Sequence, residues 1–302
     1  MKNALNYYYN LYPTSIHQIN DSYKCYINNE EYLLTPYHND IKLINKVYEL
    51  SNYLLDNNIP CHQIIQNNNG HLLTIINNIN YTLLKVFVKN RNVNIDDVVF
   101  FSSVYVDKKH FDELSKDDWY QMWTKKIDYL EYQVSQVGIR YPLIRESVSY
   151  YIGMAENSIS LFSHINDNNN GQLVIGHNRI KKNDGVVDFY NPLNFILDSK
   201  VRDLSEYIKE KFFFSKYTLQ EAITDITKFN FQSNEYILLF IRLLFPSYYF
   251  DCYEEILHKN KNQNELAKII CKNELYIIFL KEIHDFLKHK TTLPDIEWII
   301  KT

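Results

Sequence analysis

Between residues 177 and 203 the chain gathers the side chains best equipped for chemistry: His177, Arg179, Asp184, Asp188, Asn194, Asp198 and Asp203. Carboxylates and amides are the oxygen donors that hard cations such as Mg²⁺ favour. A guanidinium keeps its proton at any working pH, so Arg179 cannot act as a base. It can clamp a carboxylate or phosphate through paired N–H donors, or it can close an internal ion pair with Asp184, Asp188 or Asp198. The internal pair is the expected one, because structural ion pairs outnumber ligand clamps. Asp203, following Arg202, is expected to cap a helix and tie it to this loop, since Asp is a favoured N-cap.

Other chemistry finds little support. With only 6 Gly in 302 residues, the chain has neither GxGxxG nor GxxxxGK[ST], so both common glycine-built phosphate cradles are missing. Cys25, Cys61, Cys252 and Cys271 form no CxxC and no zinc-spaced cluster, and they read as reduced thiols of a cytosolic protein. Cys61 and His62 are adjacent, which does not by itself make a catalytic dyad. His258, His284 and His289 lack HExxH spacing. Lys209 to Lys216 interleaves cations with Phe212, Phe213 and Phe214. In a chain of net charge −4 this reads as a packed helix end and not as a nucleic-acid patch. The first residues lack the apolar run of a signal peptide, and no stretch approaches the ~20 apolar residues of a membrane span.

The elements that must hold these groups follow from periodicity. Ser22–Ile27 and Glu31–Pro36, flanking Asn28-Asn29-Glu30, predict a hairpin. Ile41, Ile44, Val47, Leu50 and Leu54 predict a helix across Asn39–Asn57, stopped by Ile59-Pro60. Strands follow at Gln63–Gln66, Leu72–Ile76 and Tyr81–Val88. From about Val93 the pattern is helical, with Trp119, Trp123, Ile127, Leu130 and Val134 at the 3.6-residue period. Ser147–His164 is a further helix. A strand-and-loop island is expected at 173–204, with strands Leu173–Ile175 and Val186–Phe189 and a surface turn at Asn166–Gly171. Helices return at Asp203–Phe212, Leu219–Phe229, Asn234–Phe245, Asp251–Lys259 and Asn264–Leu287. The expected fold is therefore α+β and bilobal. A small β-rich N-terminal lobe occupies 1–89, and a large, mainly helical lobe occupies 90–302.

That element order resembles the protein-kinase-like fold of aminoglycoside phosphotransferases and choline kinases. The passage Leu54 to Pro60 looks like their small lobe, and His177 through Asp203-Leu204 looks like their catalytic loop. A closer resemblance is to the YutH-like spore coat proteins. It rests on Tyr150–Ile159, Gly176–Arg179, Asp198–Glu206 and Arg242–Phe250 taken together.

The resemblance implies a nucleotide between the lobes and four working parts: a small-lobe Lys on the phosphates, a loop Asp as base, and a loop Asn and a following Asp on Mg²⁺. Here Arg179 stands at the base position and Asp184 at the Asn position. Asp188 or Asn194 stands at the second metal position, and Asp198 completes a degenerate cleft. Thr35 occupies the region where the Lys belongs. The resemblance thus implies a pseudokinase with no confident catalytic residue and no expected cofactor, serving as a binding or assembly component with coat proteins as partners and spore-coat association. Two alternatives stay open. One is a small-molecule phosphotransferase using ATP, with Mg²⁺ on Asp184 and Asp188. The other is a sensor whose cleft binds a metabolite.

Overall fold

The structure is a computed structural model and describes residues 1–116, 118–137, 140–165, 173–180, 185–259 and 261–300. The N-terminal lobe comprises α1 (Lys2–Tyr9), β1 (Ile16–Ile19), β2 (Ser22–Ile27), β3 (Glu30–Pro36), α2 (Ile44–Asp56), β4 (Gln63–Ile65), β5 (Thr74–Ile76) and β6 (Ile79–Val86). Its strands form one antiparallel sheet in the order β1-β2-β3-β6-β4, with β5 also pairing to β6.

The expected hairpin is present, closed by Ile27 opposite Glu30. Its two turn residues, Asn28 and Asn29, sit at φ 50° and 65°, the left-handed geometry that a two-residue hairpin turn demands. Asn77 and Asn78 repeat the device between β5 and β6. Among the described residues, every non-glycine residue at positive φ is an Asn. Its short amide tolerates that region better than other side chains.

Strand alternation gives the sheet two apolar faces. Cys25, Tyr32, Leu34 and Leu83 pack under Leu5 and Tyr9 of α1. The first helix and β1 were not anticipated from sequence. On the other face Leu33, Leu84 and Val86 meet Val47, Leu50 and Leu54 of α2 and merge with the large-lobe core.

The large lobe comprises α3 (Ile95–Phe101), α4 (Trp119–Val137), α5 (Pro142–Ser160), β7 (Val174–His177), α6 (Val186–Phe189), β8 (Phe195–Asp198), α7 (Val201–Phe214), α8 (Leu219–Thr227), α9 (Ser233–Leu244), α10 (Ser247–Lys259), α11 (Asn264–Cys271), α12 (Asn273–Lys288) and α13 (Glu297–Ile300). Two expectations are corrected. Val186–Phe189 is a helical turn, and the partner of β7 is instead Phe195–Asp198, with Val174 opposite Asp198 and His177 opposite Phe195. A four-residue apolar run is too short for its period to separate strand from helix. The single helix expected over Asn264–Leu287 is broken at Lys272, whose ammonium caps the end of α7 by donating to Phe212 O and Phe213 O at 3.2 and 2.7 Å. The turn expected at Asn166–Gly171 lies outside the described residues.

The segment holding α6 docks against the small lobe. Asn39 Nδ2 donates to Leu193 O at 3.1 Å and the His62 amide to Tyr190 O at 2.9 Å. The Tyr190 hydroxyl donates to Asp97, which also takes a bidentate pair from Arg91 at 2.7 and 2.6 Å. His62 is the pivot. Its ring is fully buried, with Nε2 at 2.9 Å from Val187 O and Nδ1 at 3.3 Å from the Phe87 amide. A carbonyl only accepts and an amide N–H only donates, so the neutral Nε2–H tautomer satisfies both contacts.

Burial lowers the His62 pKa from 6.5 to about 4, against a smaller opposing effect of Val187 O. The unfolded chain therefore takes up this proton first as the pH falls. The stability that neutral His62 supplies is complete above the unfolded value and is lost as pH drops from about 6.5 towards 4. At about 1.4 kcal/mol per pKa unit the loss is ~3 kcal/mol. Denaturant titrations across this window are expected to show that slope in the native chain and a flattened one in His62→Gln.

Candidate functional site

The antiparallel pair β7–β8 leads into the 178–180 loop at one end and into α7 at the other, with His177 and residues 195–198 buried. His177 closes β7. Asp203, in the first turn of α7, accepts from the His177 amide at 2.9 Å and contacts its Nδ1 at 2.6 Å. The expected tie between helix and loop is therefore present, although α7 begins after Lys200 without a side-chain cap. The His177 Nε2–H is spent on Phe189 O at 2.7 Å, and the ring stacks on Phe189 at 3.9 Å. So held between a carboxylate and a carbonyl, this ring is a structural post.

Asp198 ends β8 and is 1% exposed. Its carboxylate accepts from Trp119 Nε1 at 2.8 Å, Arg202 Nη1 at 3.2 Å, Arg242 Nη2 at 2.7 Å and the Ser199 amide at 2.6 Å. Both guanidiniums also lie over the Trp119 ring, at 4.6 and 4.7 Å from its centroid. Arg202 continues into the loop, donating to His177 O and Asn178 O at 2.7 Å each. One carboxylate thus joins α4, α7, β8 and α9. Two buried cations flank one anion, an arrangement that the negative face of the indole helps to hold.

Arg179 forms the expected internal ion pair, but its partner is Asp251 of α10, not Asp188 or Asp198. Nε and Nη2 reach the two carboxylate oxygens at 2.6 and 2.9 Å. Burial favours loss of the proton, and Asp251 with Glu206 more than offsets it, so the guanidinium stays above its ordinary pKa. Deeper in, Glu206 meets Lys209 Nζ at 2.8 Å, and Lys209 also donates to Ser247 Oγ at 2.6 Å and Arg242 O at 3.0 Å. Burial pushes the Glu206 carboxyl up, but Lys209, Arg179 and Arg202 overcome this and hold it well below its usual range.

The remaining expected residues are dispersed. Asp184 lies outside the described residues. Burial raises the Asp188 pKa, and no described side chain bonds to its carboxyl. Asn194 spends its amide on Asp188 O at 3.0 Å. Thr35 accepts from Ser22 Oγ at 2.9 Å. Among the described residues no three His, Cys, Asp or Glu side chains converge as metal ligands.

Sequence reasoning missed an ionic group in the small lobe. Lys24 of β2 and Glu31 of β3 pair at 2.7 Å, Lys89 approaches the same carboxylate at 3.4 Å, and both ammoniums lie beside the Tyr26 ring at 5.3 and 5.5 Å. The register Tyr26↔Glu31 and Lys24↔Leu33 places these on the sheet face shared with Leu33 and Thr35. Strand alternation alone would have found them. Lys24 is therefore an amine on the face where the phosphate-binding Lys was sought, but it is committed to Glu31.

Removing a partner from a buried ion group leaves an uncompensated charge and costs ~3–5 kcal/mol, whereas a half-exposed pair is worth ~1 kcal/mol or less. Asp198→Ala is expected to fall in the first class. Arg179→Met is expected to fall in the second, its side chain being 30% exposed. Equilibrium urea unfolding distinguishes the two.

Comparison with known proteins agrees with this architecture. The aminoglycoside phosphotransferase from Alicyclobacillus acidocaldarius superposes with a TM-score of 0.65 at 8% identity, covering 92% of this chain and 93% of that one. The choline kinase LicA from Streptococcus pneumoniae gives 0.54 at 12% identity, covering 92% and 96%. At such identities the likeness establishes the fold alone. The endospore coat-associated protein YutH of Bacillus subtilis (strain 168) is 24% identical over 213 residues, and the match spans 61% of each chain. Among the described residues no helix is long and apolar enough to cross a membrane. Residues 2–283 match the family model described as "Spore coat putative kinase YutH", and the chain belongs to that kinase-like spore coat family.

Proposed function

We propose that this chain is a pseudokinase that serves as a binding or assembly component associated with the spore coat. The observation that carries the reading is the state of Asp198. A carboxylate that holds Mg²⁺ needs open lone pairs, and this one is filled by two guanidiniums, an indole N–H and a backbone amide. Phosphoryl transfer in this fold relies on positioning and on neutralising charge around the phosphates. The groups present answer that need poorly. Arg179 is tied to Asp251, Lys24 to Glu31 and the Asn194 amide to a backbone carbonyl. The sheet face that carries Leu33 also carries the Lys24–Glu31 pair, approached by Lys89, which makes it less apolar than the slot a nucleotide base calls for. This donor set does not fit a magnesium nucleotide, and no catalytic step is derived from one. The coat role follows from the family and from what the Bacillus subtilis relative is called.

One observation favours a second reading, a phosphotransferase with an altered loop. Asp188 keeps a carboxyl that no described side chain occupies, so one candidate metal ligand stays open among the described residues.

Titration of the purified chain with ATP and Mg²⁺ is expected to leave its melting temperature unchanged and to release no phosphate. A Mg²⁺-dependent rise in melting temperature that Asp188→Asn abolishes would reverse the assignment. Fractionation of spores from the source organism is expected to place the protein in the coat extract.

A further inference from the structure

A cavity of ≈ 150 Å³ separates the two lobes beside the 177–180 loop. Its floor is apolar, built by Val47 of α2, Leu114 and Phe195 of β8. A void of about this size accommodates a six-carbon ring. Its charged groups come from both lobes: Asp40, just before α2, lines the small-lobe wall, and Lys116 with Asn178 lines the large-lobe wall, where Glu113 adds a second carboxylate.

Lys116 is the unusual member. Its ammonium is half-buried and donates to Asn178 Oδ1 at 3.0 Å, a neutral partner. Arg202 and Arg179 stand near it, and the carboxylate among its neighbours, Asp198, is already shared by two guanidiniums. Burial, followed by those two cations, lowers the Lys116 pKa. Among the described residues no ion pair links it to Asp40 across the cavity. Asp40 has one oxygen on the Lys42 amide at 3.0 Å and a second with no described partner. An ammonium and two carboxylates thus line one cavity over an apolar floor, with no ion pair between Lys116 and Asp40 among the described residues. A half-buried charge in such surroundings gains most from a counter-ion.

We propose that this cavity is a binding site for a small zwitterion, an aliphatic molecule whose carboxylate meets Lys116 and the Asn178 amide while its ammonium meets Asp40. The apolar body covers Val47, Leu114 and Phe195. This deepens the non-catalytic reading, since it treats the space between the lobes as a place that holds a ligand without transferring phosphate to it. Its ligand class follows from one ammonium and two carboxylates around an apolar floor, so a plain anion leaves Asp40 and Glu113 unanswered and a plain amine leaves Lys116 unanswered.

Calorimetric titration of the full chain with 5-aminopentanoate and with leucine tests it, using pentanoate and pentylamine as one-ended controls. At least one zwitterion is expected to bind saturably. Each control, and each of Lys116→Gln and Asp40→Asn, is expected to weaken binding by about tenfold or more, the scale of one charge-assisted hydrogen bond. Both substitutions sit at the cavity rim and outside the apolar core, and circular dichroism checks that the variants fold. The inference is overturned if neither zwitterion binds, if pentanoate or pentylamine binds as tightly as they do, or if Lys116→Gln binds unchanged. No nucleotide enters these titrations. Failure here therefore leaves the ATP result standing, and a positive ATP result leaves this one standing.

Discussion

The contact on which the large lobe depends is a single carboxylate held between two guanidiniums astride one indole. Asp198 ends the second strand of the β7–β8 pair. Arg202 comes from the first turn of α7, Arg242 from the last turn of α9 and Trp119 from the start of α4. The β8–α7 segment and two helices distant from it in sequence, α4 and α9, are thereby fixed to one point. The group satisfies itself only when all are in place, because two buried cations without their anion, or the anion without them, are heavily penalised. Arg202 then carries the constraint outward by binding the carbonyls of His177 and Asn178. The loop's path is a consequence of that ion group.

Around it, charges are paired within the protein instead of being left open to a ligand. Arg179 holds Asp251, Glu206 holds Lys209, and Lys24 with Lys89 holds Glu31. Functional clefts usually keep some charge unpaired and give up stability for it. A cleft whose ionic groups have turned to one another gains cohesion that needs no bound partner. Lys116 and Asp40 stand apart from this pattern.

Much of this was legible in the sequence, and the parts that were not share a cause. The hairpin at Asn28-Asn29, α2 and the long helices announced themselves through turn chemistry and periodicity. Arg179 was readable as a cation with an internal partner, because structural ion pairs outnumber ligand clamps, but the nearby carboxylates were the expected partners. The actual partner, Asp251, lies on a helix far along the chain, and no local rule reaches it. The strand opposite β7 was misplaced because Val186–Phe189 and Phe195–Asp198 are equally short and apolar, and only tertiary pairing distinguishes them. Lys24 and Glu31 were legible in principle, since alternation across a known hairpin puts them on one face. The search for a lysine on β3 alone passed over them.

The turns carry a consequence of their own. Where many proteins place glycine at left-handed positions, this chain places Asn, at residues 10, 20, 28, 29, 58, 77, 78 and 90. Glycine leaves the denatured coil free to wander, and a residue with a β-carbon restricts it. Each such turn therefore surrenders less backbone entropy when the chain closes. The denatured ensemble has fewer shapes to explore, and in exchange the folded turns hold a β-carbon at positive φ.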